Sequence, residues 1–469
     1  MSLVDCRGVA VSTSDPDSLA LYEKAVELSL GYFVDPFATV QSALDADPDF
    51  AMGHCLRAGM IVMSSDRMLV PLLAESVEAV ERLGKRANAR ERAHAAAARA
   101  WLHGDFAGSI RKYGEIAMNE PRDVFALQVA HIGDFLLGAS SMLRDRVAQV
   151  LPEWDANTPG YGFVLGMHAF GLEENGLYPR AEDTGRLALE KNRRDPWAVH
   201  AVAHVMEMQG RLREGIEWLE SRRDDWAPDN GFAFHNWWHL ALFYLDLGEH
   251  QRVLELYDER VRPQPTQIPL EMVDASALLW RLNLRGVNVG ARWEALADSW
   301  KPFADHGYYA FNDVHACMAF ASAGRTSELQ TALSTLEQRA QGQDTNAMMS
   351  RDVGLPCAQA LVACTRGDYQ RAVDLLLPIR TIANRFGGSH AQRDLIHLTL
   401  TECALKSGQV KLARALANER VQLKPSSPFN WLLKARALEG AGDQDGARKL
   451  RDHAENRRHM QFVNQRAVA

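Results

Sequence analysis

The stretch HLTLTECALKSGQVKLARALANERVQLKPSSP sets the tightest limit on what this chain can fold into. Its apolar residues recur at helical spacing on both sides of Gly408, Ala413 and Ala417 fall on the second helix, and Pro425 closes the segment. Such a unit is a pair of helices joined at a glycine turn, about 34 residues in all. A single pair cannot bury its own apolar stripe, so neighbours must stack. The pattern returns from Gly104 to Pro121, at Gly367 with Tyr369 and Ala372, and at Gly442 between Trp431 and Ala447, with a weaker copy at Gly31 and Pro48. Alternating runs of β-branched residues are missing, which leaves no signal for a sheet. The expectation is an all-α chain, an α-solenoid of helix-turn-helix repeats curving into a superhelix with a concave inner groove.

At 469 residues the chain exceeds what one compact core needs, and the repeats assign the whole of 1–469 to a single array. VRPQPTQIP, at about residues 261–269, is the clearest non-helical connection and the place where the array can break. With 52 basic against 60 acidic residues and a net charge of -8, the chain lacks a nucleic-acid footprint, and no such partner is expected. Six cysteines, Cys6, Cys55, Cys317, Cys357, Cys364 and Cys403, form no Cys-x-x-Cys pair and read as buried small apolar residues in a reducing compartment. The opening MSLVDCRGVAVSTSDPDS has no signal-peptide pattern, and no window has the apolar length of a membrane span. A cytoplasmic location without a membrane partner is expected.

These units resemble tetratricopeptide repeats. The resemblance implies that residues about thirteen, ten, six and three before the turn glycine of a first helix face the groove. In WAVHAVAHVMEMQGRLREGIEWLE the turn glycine is Gly210, and His200, His204 and Glu207 precede it by ten, six and three residues. In FHNWWHLALFYLDLGEHQRVLELYD it is Gly248, with His235 thirteen and His239 nine residues before. Four of these five land on the inner face and His239 lies beside it. A spacing of four stacks His200 over His204 and His235 over His239 on their helices. Two imidazoles one turn apart reach one ion, so these four histidines are candidate ligands of a divalent metal. His-Glu-x-x-His is absent, so no metalloprotease follows. Glu207 is a candidate third ligand or general base. The competing reading makes these histidines hydrogen-bonding packing residues.

Further candidates are Asp274 in MVDASALLWRLNLRG, Asp313 and His315 in FNDVHACMAF, and Ser389, His390, Gln392 and Arg393 in FGGSHAQRD. Two glycines before a serine and a helix can offer backbone donors to an anion, although an ordinary helix cap explains the same letters. Trp238 and Trp280 serve equally as core or as walls of a substrate pocket, whereas Trp237 falls at the repeat's own tryptophan position. His131, His168 and His397 read as core histidines.

The segments ADPDFAMGH, GMHAFGLEENG, HAVAHVMEMQGR, FHNWWHLALF, VDASALLWRL, FNDVHA and GGSHAQRD, in this order, resemble the tetratricopeptide repeat protein 38 family over most of the chain. The resemblance implies the architecture and no particular reaction. Two functions follow from the residues. One is a site for a small polar molecule in which His200, His204, Glu207, His235, His239, Asp313 and His315 act as acid–base groups or, for the histidines, metal ligands, with Trp238, Asp274, Trp280, Ser389, His390, Gln392 and Arg393 binding the substrate. The other is a scaffold that holds a peptide or protein partner in its groove; a homodimer contact is a third use of such a surface. The inward positions carry histidine and glutamate in place of the lysine and asparagine of a carboxylate clamp, which counts against that form of peptide binding.

Overall fold

The computed structural model describes residues 3–466. Helices account for nearly all regular structure, and among the described residues β pairing is confined to two isolated bridges, Val4 with Ala10 and Phe33 with Asn230. The chain divides into two compact units. One comprises Met1–Val202, Asp224–Ala233 and Gln343–Met348, the other Ala203–Arg223, Phe234–Gly342 and Met349–Ala469. The proline-rich connection after Val261 joins two helices inside the second of these. No helix among the described residues is long and apolar enough to cross a membrane.

Each unit is built from antiparallel helix pairs. In the first, Ala89–Leu102 pairs with Phe106–Asn119, and Tyr161–Glu173 with Tyr178–Lys191. In the second, Leu355–Thr365 pairs with Tyr369–Ile379, and Pro428–Gly440 with Gln444–Arg466. The turn glycines do what the repeat requires. Gly210 and Gly248 adopt φ of 69° and 78°, a left-handed conformation that costs a residue bearing Cβ about 1 kcal/mol or more. That conformation turns the next amide back onto the helix, so Arg211 N–H reaches Met206 O at 2.8 Å and Glu249 N–H reaches Tyr244 O at 2.9 Å. The weaker unit near the start is built differently. Gly31 has φ of −90° and the left-handed residue is Tyr32 at 55°, while the Phe33 ring lies so close to Gly31 that a Cβ there would stand 2.4 Å from it.

Among the cysteines, Cys55, Cys317, Cys357 and Cys403 are buried and Cys364 is half-buried, all without a disulfide. Cys6 departs from the expectation of burial. It is exposed because it lies in the turn before the first helix, where its amide donates to the Glu23 carboxylate.

Candidate functional site

Three first helices of successive pairs supply the polar core of the second unit. Pro196–Gln209 carries His204 and Glu207, Ala233–Leu247 carries His235, Trp238 and His239, and Pro269–Leu284 carries Asp274 and Arg281. The latter two helices are held by packing on most sides, since all but a few of their residues are buried. His204, Glu207, His235, His239 and Asp274 are all buried, His204 and His239 completely. The ring nitrogens of His204, His235 and His239 offer ligand atoms within 4.8 Å of one another, and the His204 and His239 rings lie 4.4 Å apart.

The hydrogen bonds decide which nitrogen faces which neighbour. His235 Nδ1 meets Asp274 Oδ2 at 2.6 Å, and His239 Nδ1 meets Glu207 Oε2 at 3.0 Å. A carboxylate only accepts, so each Nδ1 carries a proton, and in a neutral ring the Nε2 then presents a lone pair. Those two Nε2 atoms face each other at 3.2 Å. Two opposed lone pairs repel unless a cation lies between or beside them, either a shared proton or a metal ion. Two nitrogens on one tetrahedral zinc ion, each 2.0–2.1 Å from it, stand about 3.3 Å apart, so the observed spacing accommodates the second choice as well as the first. The donor set fits as well. Imidazoles whose far nitrogens are held by carboxylates are the usual form of a histidine metal site, because the outer partner fixes the tautomer and raises ligand basicity.

The surroundings favour a neutral His239 ring. Burial, then the neighbouring His204 and His235 rings and the Lys424 and Arg281 cations, hold the His239 imidazole well below its ordinary pKa, and a ligand must be deprotonated at the binding nitrogen. Lys424 donates to Glu207 Oε1 at 3.2 Å. Burial opposes its charge, but Glu207, Asp394 and Asp246 outweigh that and raise its pKa. Trp238 lies flat against His235, with centroids 5.3 Å apart at 13°, and Arg281 covers Trp238 at 5.4 Å.

The other candidates have surroundings of their own. In the first unit His200 is enclosed by rings, Trp197 at 4.9 Å and Phe170 and Phe232 at 5.2 Å each; it stands one turn before His204 on the same helix. Trp280 commits its indole N–H to Thr399 Oγ1 at 2.9 Å, as a core residue does. Asp313 and His315 are buried on Ala310–Ser322, a helix that packs against Pro269–Leu284. His315 Nδ1 donates to Phe311 O at 2.7 Å, and burial pushes its pKa down to about 4. At Gly387–Gly388–Ser389 the Gly387 amide donates to Asn384 O at 2.9 Å. Ser389 Oγ accepts from Gln392 N–H at 3.3 Å and Gln392 Oε1 accepts from Ser389 N–H at 3.0 Å, a reciprocal cap on the helix that begins at His390. Arg393 donates to Gly388 O and lines an open depression of about 420 Å³ with Arg380, His397 and Glu419.

Lys424 and Arg281 escaped the sequence reading. A signal existed for Arg281, which follows Asp274 by seven residues, two helical turns, and so shares its face. Lys424 had none, since a lysine beside a helix-ending proline reads as solvent-exposed.

No family model matches the chain. Among solved structures, a human IFIT1 dimer with PPP-AAAA is similar at 11% identity and a TM-score of 0.41, covering 95% of each chain. Yeast Tom70 is similar at 13% identity and a TM-score of 0.33, covering 97% of each. At scores this low neither likeness bears on function, and the architecture rests on the helix pairs and their left-handed turn glycines. The chain is an all-α protein of tetratricopeptide-like repeats.

Proposed function

We propose that this repeat protein holds a divalent transition metal ion, zinc foremost, on His204, His235 and His239, and acts there on a small polar molecule by metal-assisted acid–base chemistry. His200, one turn before His204 on the same helix, is the fourth imidazole that the sequence offers. The observation that carries the reading is the 3.2 Å opposition of two Nε2 atoms whose Nδ1 partners are carboxylates. Imidazole ligands suit zinc, copper, iron and nickel, and such an ion supplies Lewis acidity and lowers the pKa of water at neutral pH. The protein's own groups do the rest. Asp274 and Glu207 orient the rings, Lys424 holds the second oxygen of Glu207, and Trp238 shields His235 from bulk water. The resemblance to the tetratricopeptide repeat protein 38 family belongs to the same reading, because three of its motifs contain these residues.

A second reading, a scaffold for a peptide, draws on the repeat architecture and on the open depression beside Arg380 and Arg393. Elemental analysis of untagged, gently purified protein separates the two. Near-stoichiometric zinc, iron, nickel or copper is expected in the natural protein and is lost in the His235→Ala/His239→Ala variant, with far-ultraviolet circular dichroism unchanged. A natural protein that is metal-free as purified and also fails to bind added zinc overturns the metal reading.

A further inference from the structure

The charges beside the histidine centre do not cancel. A cavity of about 50 Å³ in the second unit is lined by four cations, Arg281, Arg285, Arg420 and Lys424, and three carboxylates, Glu207, Asp246 and Asp394. Their pairings can be followed one by one. Arg420 grips Asp394 through two nitrogens at 2.7 and 3.1 Å, and Lys424 meets Glu207 at 3.2 Å. Asp246 accepts from Ser427 Oγ at 2.8 Å. Among the described residues the two remaining guanidiniums have no carboxylate in contact. Arg281, 3% exposed, donates only to the carbonyls of Ala277, Ala391 and Gln392. Arg285, one turn further on, donates to Arg281 O at 3.3 Å, lies over the Phe429 ring at 3.7 Å, and keeps a buried Nε with no hydrogen-bond partner.

We infer that this cavity binds the carboxylate of a small monoanionic ligand on Arg281 and Arg285. An unpaired buried guanidinium is costly, and a planar anion that accepts two parallel N–H bonds relieves it. Four positive charges against three negative leave room for one negative charge, which a carboxylate supplies and a phosphate dianion exceeds. The size of the cavity agrees, since about 50 Å³ holds a carboxylate with its first carbon and excludes an extended peptide. Burial also pushes the Arg285 guanidinium down to about 10, the direction expected of a cation short of counter-charge. The cavity adjoins the histidines through shared residues: Glu207 lines it while bonding His239, and Arg281 covers the Trp238 ring that stacks on His235. The inference rests on the proposed metal site only for what happens to the ligand's other end.

Calorimetric titration of the full-length protein with sodium acetate, against sodium chloride at equal ionic strength and against inorganic phosphate, tests it. One acetate per chain is expected, with phosphate weaker. Arg285→Gln should weaken acetate binding tenfold or more, the loss of one charge-assisted hydrogen-bond partner. Retained acetate binding in a protein that takes up no metal would sink the metal reading and leave this one standing. No acetate heat beyond chloride, stronger binding of phosphate, or unchanged binding in Arg285→Gln overturns the inference. Should Arg285→Gln fail to fold, Arg285→Lys, which keeps the charge but not the planar fork, is expected to show the same preference for loss, and full retention there overturns it as well.

Discussion

Exchanging Asp274 for asparagine removes a charge from behind His235 while keeping the shape of the side chain. Asp274 is 1% exposed, and its Oδ2 lies 2.6 Å from His235 Nδ1, so little water is available to replace what is lost. Outer partners of this kind are worth about 10- to 100-fold in metal affinity, or about 1.4 to 2.8 kcal/mol. Asp274→Asn should fall near the lower figure, because the amide oxygen still accepts from Nδ1–H and the ring keeps its tautomer; only the carboxylate's electrostatic support is gone. Asp274→Ala removes support and orientation together and should approach the upper figure. The assay is competition for zinc against a chromophoric chelator, on protein whose helix content and melting curve are first shown to match the natural chain. Indistinguishable zinc affinities for the natural protein and the two variants would refute the assignment of Asp274 as the orienting partner of a metal ligand.

Two further perturbations test the framework. Asp195 caps the Pro196–Gln209 helix by accepting from the amides of Trp197 and Ala198 through Oδ1, while its fully buried Oδ2 has no hydrogen-bond partner, and burial pushes its pKa up to about 7. The folded-state value exceeds the unfolded one, so the unfolded chain gives up its proton first and stability falls as pH rises from about 4 to about 7. Asp195→Asn keeps the cap and abolishes that slope, so the variant should melt higher than the natural protein at pH 8, by roughly 4 kcal/mol at most, with the advantage gone near pH 4; parallel melting profiles would contradict this. At Gly215 a Cβ would stand 2.2 Å from the Phe243 ring, so Gly215→Ala should cost about 1–3 kcal/mol by overpacking in urea unfolding, and adding Phe243→Leu should recover part of it; additive losses would locate the strain elsewhere.

The helix pairs were legible because every signal for them is local: helical periodicity, a turn glycine, a closing proline. The histidine centre was legible in part for the same reason. Its stacked pairs lie four residues apart, and the repeat register aims both pairs to one side. What spacing cannot carry is the identity of partners brought in from afar. His235 meets Asp274 across 39 residues, and Glu207 meets Lys424 across 217. In the sequence Asp274 therefore reads as a substrate-binding residue, and its bond to the His235 ring is not legible. At Gly387–Gly388–Ser389 the letters leave a cap and an anion cradle equally open, and only the position of the Gln392 side chain distinguishes them.

The scaffold itself has no need of imidazoles where His204 and His239 stand. Six residues before the turn glycine, where His204 lies, other pairs bury Ala98 and Leu361; nine before, where His239 lies, they bury Ala95 and Ala358. Small or aliphatic residues close the same helix contacts, and a buried charged network is seldom more stable than its apolar replacement. A contrasting case in the first unit shows what a buried histidine looks like when its charges are settled. There Asp123 accepts from His94 Nε2 at 2.8 Å and from Arg90 Nη1 at 2.6 Å; burial opposes the carboxylate's charge, but Arg90 and His94 outweigh it and hold the group well below its usual range. One anion there answers one guanidinium and one ring. At His235 and His239 the carboxylates instead occupy the outer nitrogens and turn the two inner lone pairs toward each other. Between neutral rings that arrangement is unfavourable for packing alone and becomes favourable once a cation joins it, which is the physical reason for proposing a site at these residues.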